Sequence, residues 1–278
     1  MERPWFASAA TLAREIRAGR LGCAELLETM LERVDRLNPR INAIVVQDRD
    51  AARSDARRAD EELARGRVRG PLHGVPMTLK ESNDRAGWPT TWGDPALRDH
   101  RPAQDALAVQ RLERAGADLV GKTNVPVALA DFQSYNDVYG TTGNPWDPAR
   151  VPGGSSGGAA AALAAGLTPL ELGSDIGGSI RNPSHFCGTF GHKSTWNLLP
   201  PRGHGLGALR PTDIAVIGPM ARSAADLELA LRVMAGPDEV ESAGVALDLA
   251  GLARPLSSLR VAMWANDPLA PVADRGVY

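Results

Sequence analysis

The first half of the chain alternates between hydrophobic patterns typical of helices and of strands. Apolar residues recur at steps of three and four from residue 26 to residue 37, which predicts a helix that Pro39 ends. A β-branched run at 41–46 predicts a strand, and residues 48–64 predict a charged helix with an alanine-rich face. Three further elements are predicted in the same way: a buried strand at 77–80, an amphipathic helix at 104–115 and a strand at 118–121.

The second half opens with a long segment rich in glycine, proline, asparagine and serine. This segment, residues 139–158, is longer than most connections in compact domains, and such loops are more often functional than idle. Ser223 is a good N-cap for a helix that runs to residue 235 and is closed by glycine and proline. The other elements predicted here are a helix of small residues at 159–165, a strand at 170–174, a tight turn at 175–178 and a last strand at 260–264.

Strands that alternate with helices of this length predict an α/β fold whose sheet is at least partly parallel. The chain has 278 residues, 43% of them hydrophobic, which is enough to bury a sizeable core in one large domain or two small ones. No clear linker between domains occurs along the chain. We therefore expect residues 1–278 to form a single domain.

Composition and charge argue against several classes of partner. The formal net charge is −2, which gives no electrostatic reason to expect nucleic acid or an anionic membrane. The most apolar run, 159–165, is too short to span a bilayer, and the N-terminus lacks the apolar segment of a signal peptide. Cys23 and Cys187 occur singly, without the spacing of a disulfide framework or a metal site. These features predict a reduced, cytoplasmic protein.

The positive charges of this chain are almost all arginines. Of the 31 basic residues only Lys80, Lys122 and Lys193 are lysines, and each follows an apolar or glycine-rich segment. Lysine can lose its proton when it is desolvated, whereas arginine effectively cannot. The three lysines are therefore the candidates for a position where arginine cannot serve.

Two serines lie in glycine-rich segments of the second half. Ser155 lies in Pro-Gly-Gly-Ser-Ser-Gly-Gly at 152–158, and Ser179 lies in Ser-Asp-Ile-Gly-Gly-Ser-Ile-Arg at 174–181. Glycines let consecutive backbone N–H groups converge into a nest that binds a phosphate or the oxyanion of a tetrahedral intermediate. One such segment alone is as readily a flexible turn.

Two other functions fit the first serine segment less well. A phosphate-binding P-loop requires lysine and then serine or threonine after its glycines, and here Gly158 is followed by Ala159. The segment also satisfies G-x-S-x-G, the nucleophile elbow of α/β-hydrolases, which requires a strand directly before it. Three prolines in residues 144–152 argue against that strand, so we interpret this match as accidental.

Four segments taken together are far more specific than any one of them: 74–76 with Lys80, then 121–124, 153–158 and 173–181. In this order they resemble the amidase signature family, from about the first helix to the end of the chain. The resemblance implies an α/β fold with a mixed, largely parallel central sheet covered by helices on both faces. It also implies hydrolysis of a carboxylic amide through an acyl-serine, without a cofactor.

The resemblance also assigns catalytic roles. It implies that Ser179 is the nucleophile, that Ser155 relays the proton after a cis peptide bond with Gly154, and that Lys80 is the base. The implied oxyanion donors are the backbone N–H groups of Ile176, Gly177, Gly178 and Ser179.

These roles are chemically coherent without the family. A serine hydroxyl is a poor nucleophile until a neighbouring base takes its proton, and no His–Asp pair is evident in the sequence. Desolvation can lower the pKa of a lysine by several units from about 10.4, so a buried Lys80 can act as the base with Ser155 between it and the nucleophile. His185, His192 and His204 lack metal-like spacing and are predicted to be structural.

Further residues are predicted to support the site. Asp175 and Arg181 flank the nucleophile turn and are expected to order it as a pair. Ser156 and Ser174 are expected to hydrogen-bond Lys80. By their position relative to the motifs, the predicted pocket residues are Leu129, Asp131 and Trp92.

Two departures from the family pattern change the expectations. Residues 191–197 lack a proline and a glycine that the family usually carries, which predicts a less rigid turn. Family members are usually much longer, so the domain is expected to be truncated on its C-terminal side. Three alternatives stay open: an inactive chain, a chain that works as a homo-oligomer or with a complementary chain, and a glutamine-hydrolysing transamidase-type subunit.

Overall fold

The computed structural model describes residues 3–205, 207, 212–239, 241–249 and 255–262. The chain divides into two compact units, Met1–Leu247 and Asp248–Tyr278. The one element described in the second unit is a short 3-10 helix at Leu256–Ser258. All helices and strands below belong to the first unit, and the single-domain organisation of the whole chain stays a prediction.

Seven α-helices in the described residues surround a central sheet. Side-chain oxygens of Ser8, Asp48 and Ser223 accept the backbone N–H three residues further on and so cap three of these helices. The helices are α1 (Ala9–Arg17), α2 (Cys23–Ile41), α3 (Arg49–Ala64), α4 (Leu107–Arg114), α5 (Gly157–Ala164), α6 (Arg181–Cys187) and α7 (Ala224–Met234).

The central sheet described here has six strands in the order β1-β3-β2-β6-β8-β7. Its middle strands β3, β2 and β6 are parallel, whereas β1 pairs antiparallel with β3, β8 with β6, and β7 with β8. Four of the six strands therefore run in one direction, which confirms the predicted mixed, largely parallel sheet. The strands are β1 (Ile44–Gln47), β2 (Val75–Lys80), β3 (Ala117–Thr123), β6 (Leu170–Asp175), β7 (Phe190–Gly191) and β8 (Val216–Ala221), with β4 (Tyr135–Asn136) and β5 (Gly140–Thr141) forming a separate hairpin.

The two faces of the sheet pack against different helices. Successive side chains of a strand point to opposite faces. Leu170 and Leu172 of β6 join the large apolar core that also contains residues of α1, α2, α3, α4 and α7. Gly173 faces the other side, towards Ile180 and Met220, and these two residues pack against the alanines of α5. Helices therefore cover both faces, as the resemblance implied.

The predicted elements are found with shifted ends, and two helices were missed. Helix α2 continues through Pro39 to Ile41, so the prediction that Pro39 ends it is wrong. The helix ends at Asn42, which has a left-handed backbone (φ 52°) that asparagine tolerates better than most residues. Helices α1 and α6 were not predicted. In the predicted last strand, residues 260–262 are not a strand, and the rest lies outside the described residues.

Strand β8 was missed because it contains Gly218 and Pro219, which argue against a strand inside a sheet. The Pro219 carbonyl accepts the N–H of His192, just beyond the short strand β7. The nitrogen and carbonyl of one strand residue point the same way, so the missing N–H of Pro219 lies on the β7 side. No hydrogen bond between β8 and β6 is lost there.

Glycines bring α5 against the ends of the parallel strands. The N–H of Gly158 donates to the carbonyl of Asn124, just after β3, at 3.2 Å. A Cβ on Gly158 would overlap the backbone nitrogen of Asn124 and would lie 2.9 Å from the carbonyl oxygen of Ala43. The double glycine at the start of α5 is therefore required by close packing.

We expect Gly158→Ala to lower the free energy of unfolding by about 1–3 kcal/mol, because α5 must move away from backbone atoms that cannot yield. Gly244→Ala is the matched control, since Gly244 has no neighbour within 4 Å of an added Cβ and no left-handed backbone. Denaturant unfolding of the two variants measures the difference. Equal stability would show that α5 is not packed this closely.

Candidate active site

Lys80, the last residue of β2, is fully buried in the centre of the sheet. Its Nζ donates to the Oγ of Ser155 at 2.7 Å and to the Oγ of Ser174 at 2.9 Å. Ser174 lies near the end of β6, the parallel neighbour of β2. The fold thus places the amine of Lys80 between two hydroxyls. The hydrogen bond to Ser174 is the one that was predicted.

Burial lowers the pKa of Lys80 to about 7, because desolvation disfavours the ammonium; the carboxyl groups of Asp175 and Glu171 act in the opposite direction. Glu171 is itself buried, and desolvation raises its pKa to about 8. The Glu171 carboxyl accepts a hydrogen bond from Thr78 at 2.6 Å. Near neutral pH a protonated Glu171 removes one of the two opposing charges near Lys80, which favours the neutral amine.

Ser155 precedes α5, and its peptide bond with Gly154 is cis, as the resemblance implied. Gly154 packs directly on the backbone of residues 131–133, since a Cβ there would lie 2.5 Å from the carbonyl oxygen of Asp131. The Oγ of Ser134 accepts the N–H of Gly157 at 3.0 Å. This segment therefore holds Ser155 from one side while Lys80 holds it from the other.

The residues before Ser155 do not form a strand. An α/β-hydrolase nucleophile elbow needs a strand at that position. The G-x-S-x-G match at Ser155 is therefore accidental, as predicted.

Ser156 does not contact Lys80, so that prediction is wrong. Its hydroxyl donates to the carbonyl oxygen of Ser174 at 3.3 Å and accepts the N–H of Ser174 at 3.4 Å. The reason is geometric: Ser156 begins the turn into α5 and points at the β6 backbone, while Ser155 points at the lysine. Ser156 fastens α5 to β6.

Ser179 lies in the turn between β6 and α6, and Asp175 organises this turn. The Asp175 carboxylate accepts the N–H groups of Gly178 at 2.9 Å and Ile180 at 3.0 Å, and the Arg181 guanidinium donates to both its oxygens. Burial tends to raise the pKa of Asp175, but these hydrogen bonds, led by Arg181, hold it below the usual value. The expected Asp175–Arg181 pair is present.

The hydroxyl of Ser179 has no hydrogen-bond partner within the described part of the chain. Its carbonyl oxygen accepts the N–H of Ser156 at 3.1 Å, which ties the nucleophile turn to the start of α5. The side chain is almost buried yet lines a cavity. The backbone of Ser179 is thus held in place, and its hydroxyl is left available for reaction.

Three of the four implied oxyanion donors are free. The N–H groups of Ile176, Gly177 and Ser179 have no acceptor among the described residues. The N–H of Gly178 is different, because it is already bound to Asp175. The structure therefore does not offer Gly178 as a donor, contrary to the expectation, since the same carboxylate that orders the turn takes up this N–H.

A cavity of about 430 Å³, the main cavity, opens above the two serines. Leu129 and Trp92 lie in its wall, as predicted, and both have left-handed backbone (φ 59° and 54°). Such conformations in residues other than glycine concentrate at functional sites. The main cavity is lined by Trp92, Ala128, Leu129, Ala130, Ser155, Ser174, Asp175, Ile176, Ser179, Pro201, His204, Gly205, Thr212, Ala215 and Val216.

A second cavity of about 270 Å³, the side cavity, also reaches Ser179. It contains the predicted pocket residue Asp131. The side cavity is lined by Leu129, Ala130, Asp131, Phe132, Ile176, Gly177 and Ser179.

His204 lies in the wall of the main cavity, a position that its spacing in the sequence did not predict. Its Nε2 is 3.1 Å from the hydroxyl of Ser82, and its ring lies 5.6 Å from that of Trp92. Burial lowers the pKa of His204 to about 3, so the ring is neutral. His185 and His192 line neither cavity, and their structural role stays a prediction.

A buried network behind Trp92 was missed in the sequence. The Glu81 carboxylate accepts the N–H of Trp92 at 2.9 Å and the hydroxyl of Tyr139 at 3.1 Å. Lys122 donates to the carbonyls of Glu81 and Pro89. The scarcity of lysine pointed to Lys122, and the structure shows that its amine holds the backbone that carries this wall.

Two absences apply to the described residues alone. They contain no group of three or more histidine, cysteine, aspartate or glutamate side chains that could hold a metal ion. No helix among them is long and apolar enough to cross a membrane.

Comparison with known proteins places this geometry in a family. The family model described as Amidase matches residues 25–276. A glutamyl-tRNA(Gln) amidotransferase subunit from Chloroflexus aurantiacus is 43% identical over 84% of this chain and 47% of its own length. The indoleacetamide hydrolase of Bradyrhizobium diazoefficiens is 40% identical over 93% of this chain and 50% of its own.

A solved structure agrees with these relatives. The peptide amidase of Stenotrophomonas maltophilia is similar with a TM-score of 0.78 and 34% identity, over 86% of this chain and 50% of that one. The chain spans about half the length of the relatives it matches. On the family model and these identities, the chain belongs to the amidase family.

Proposed function

We propose that this protein hydrolyses the C–N bond of a carboxylic amide through an acyl-serine, with Ser179 as nucleophile, Ser155 as relay and Lys80 as base. The observation that carries the proposal is the 2.7 Å hydrogen bond between a buried Lys80 and Ser155. Ser155 shares its cavity with the unpartnered hydroxyl of Ser179. Membership of the amidase family supports the same chemistry.

In the first step the Oγ of Ser179 attacks the amide carbonyl carbon. Its proton passes to Ser155, and the proton of Ser155 passes to the neutral amine of Lys80. The carbonyl oxygen becomes an oxyanion, for which the free N–H groups of Ile176, Gly177 and Ser179 are the candidate donors in the turn. Asp175 keeps that turn in one conformation throughout.

In the second step the C–N bond breaks and the leaving nitrogen takes a proton from Ser155. Lys80 returns its proton to Ser155 and becomes neutral again. Water then takes the place of the amine and attacks the acyl-serine, and its proton passes through Ser155 to Lys80. The acid is released as Ser179 takes the proton back. Each step moves protons among the three side chains and needs no cofactor.

A second function is favoured by several relatives, which are glutamyl-tRNA(Gln) amidotransferase subunits. The 43% identity to a glutamyl-tRNA(Gln) amidotransferase subunit supports a protein that releases ammonia from glutamine for a partner chain. The same three residues would serve, so the site alone does not separate the two functions. Ammonia release from glutamine, compared with hydrolysis of aryl amides, tests the choice. We also propose that the protein is cytoplasmic and that it works either as a homo-oligomer or with a complementary chain.

We expect Ser179→Ala to lower kcat by about 10⁵-fold or more, because the attacking oxygen is lost. A fluorophosphonate probe should label Ser179 in the unmodified protein, and peptide mass spectrometry locates the label. The Ser156→Ala variant is the control, because Ser156 fastens α5 but does not contact Lys80, and it should still be labelled. Labelling at Ser155 would overturn the roles given to the two serines.

We expect Lys80→Arg and Lys80→Ala each to lower kcat by about 10²–10⁴-fold, because arginine keeps the charge but cannot act as a base. Lys193→Arg is the matched control, since Lys193 is partly exposed and lines neither cavity. It should retain the rate of the unmodified protein.

The activity of the unmodified protein should depend on pH in one direction. With a Lys80 pKa of about 7, the amine gains a proton as the pH falls through 7, so kcat/KM should fall there and level off above it. Initial rates from acid to mildly alkaline pH give this profile. A rate that is flat across neutrality, or an active Lys80→Arg variant, would show that the lysine contributes only charge.

A further inference from the structure

Ser179 lies where two cavities meet, and the two cavities differ in what else they contain. The main cavity holds Ser155 beside Ser179, whereas Ser155 does not line the side cavity. An amide whose carbonyl carbon lies at Ser179 extends in two directions from that point. The two cavities are therefore the two places available for the acyl part and the amine part of a substrate.

The proton relay decides which part goes where. Under the proposed function the leaving nitrogen takes its proton from Ser155, so the nitrogen must lie within hydrogen-bond reach of that hydroxyl. The amine part is therefore placed in the main cavity, with Ser155. The acyl part is then placed in the side cavity.

The side cavity contains a carboxylate with no partner. Among the described residues none forms a hydrogen bond or an ion pair with the side chain of Asp131, whereas the Asp175 carboxylate in the main cavity is taken up by Arg181. His204 also lines the main cavity, and its ring is neutral because its pKa is about 3. Among the described residues that line the two cavities, the carboxylate free to act on a substrate is therefore that of Asp131, in the side cavity.

An aromatic ring lines the same cavity as this carboxylate. The ring of Phe132 packs over Gly178, at 3.5 Å from the position of an added Cβ, and is half exposed. The face of an aromatic ring attracts a cation, as a carboxylate does. Asp131 and Phe132 together form the chemical surroundings that a positively charged group prefers.

The position of Asp131 relative to the reacting atoms is fixed by the backbone. Residues 131–133 pack directly against Gly154, the residue joined to the relay serine. Ser134, next along, hydrogen-bonds Gly157 at the start of α5. The segment that carries the carboxylate is thus attached to the segment that carries Ser155.

From these observations we propose that the side cavity receives the acyl part of the substrate and that Asp131 makes the enzyme prefer acyl groups that carry a positive charge. The proposal rests on the proposed amide hydrolysis at Ser179 and adds a substrate class to it. Asp131 acts here as a specificity-determining residue and takes no part in proton transfer.

The test compares p-nitroanilides that share one leaving group and differ only in acyl charge: β-alanyl (cationic), butanoyl (neutral) and succinyl (anionic), with a second set two methylenes longer. We expect kcat/KM to fall in that order. In Asp131→Asn the ratio of kcat/KM on the cationic substrate to that on the anionic substrate should drop about two- to fivefold, the size expected for an exposed charge pair. The preference should also shrink as salt is added.

Asp137→Asn is the matched control, because Asp137 is exposed in the same segment and lines neither cavity. It should keep the ratio of the unmodified protein. An unchanged ratio in Asp131→Asn, or equal rates on all three acyl groups, would overturn the proposal and leave amide hydrolysis standing. In a companion series with a butanoyl group and charged amines, a preference that follows the amine would overturn the placement of the acyl part. No turnover together with no probe label at Ser179 would remove the proposed function and this inference with it.

Discussion

The burial of one amine, that of Lys80, is the constraint on which the site depends. An ammonium group taken out of water without a full counter-charge is costly, and the cost is avoided when the group releases its proton. The sheet buries this amine, because β2 places Lys80 between β3 and β6 and leaves it two hydroxyl partners. Burial also drives the nearby Glu171 towards its neutral form. The free energy that burial would cost the ammonium is thus what favours the neutral amine near neutral pH.

Burial of that amine requires other backbone to come unusually close. Gly154 and Gly158 touch main-chain atoms of residues 131–133 and of Asn124, where any Cβ would overlap. At Gly173 an added Cβ would meet side-chain atoms instead, with the sulfur of Met220 at 2.7 Å and the Oγ of Ser156 at 3.2 Å. The glycine-rich segment is therefore a packing device as much as a flexible loop, and its rigidity is what keeps Ser155 within hydrogen-bond distance of Lys80.

The sequence predicted the parts of this arrangement that depend on local pattern. Helices such as α3 and α7 followed from periodicity and caps, and Lys80, Ser155 and Ser179 followed from their motifs. It failed where contacts that no local pattern encodes decide. The missing N–H of Pro219 faces β7 and costs β8 no hydrogen bond to β6, Ser156 faces β6 instead of Lys80, and the Asp175 carboxylate takes up the N–H of Gly178. His204 reaches the cavity by the course of the chain after β7, and no spacing in the sequence encodes that course.

The difference between the proposed catalytic residues and the cavity walls has a structural origin. Lys80, Ser155 and Ser179 lie on β2, at the start of α5 and after β6, and β2 and β6 are hydrogen-bonded neighbours whose ends meet at one edge of the sheet. Their mutual geometry is therefore fixed by a few adjacent elements. The walls come from separated segments, with Trp92 held by the Glu81 network, Leu129 held in a left-handed turn, and Val216 on β8. Substitutions in those segments can reshape the cavities without moving the lysine and the two serines, so the proposed chemistry could be directed to different amides.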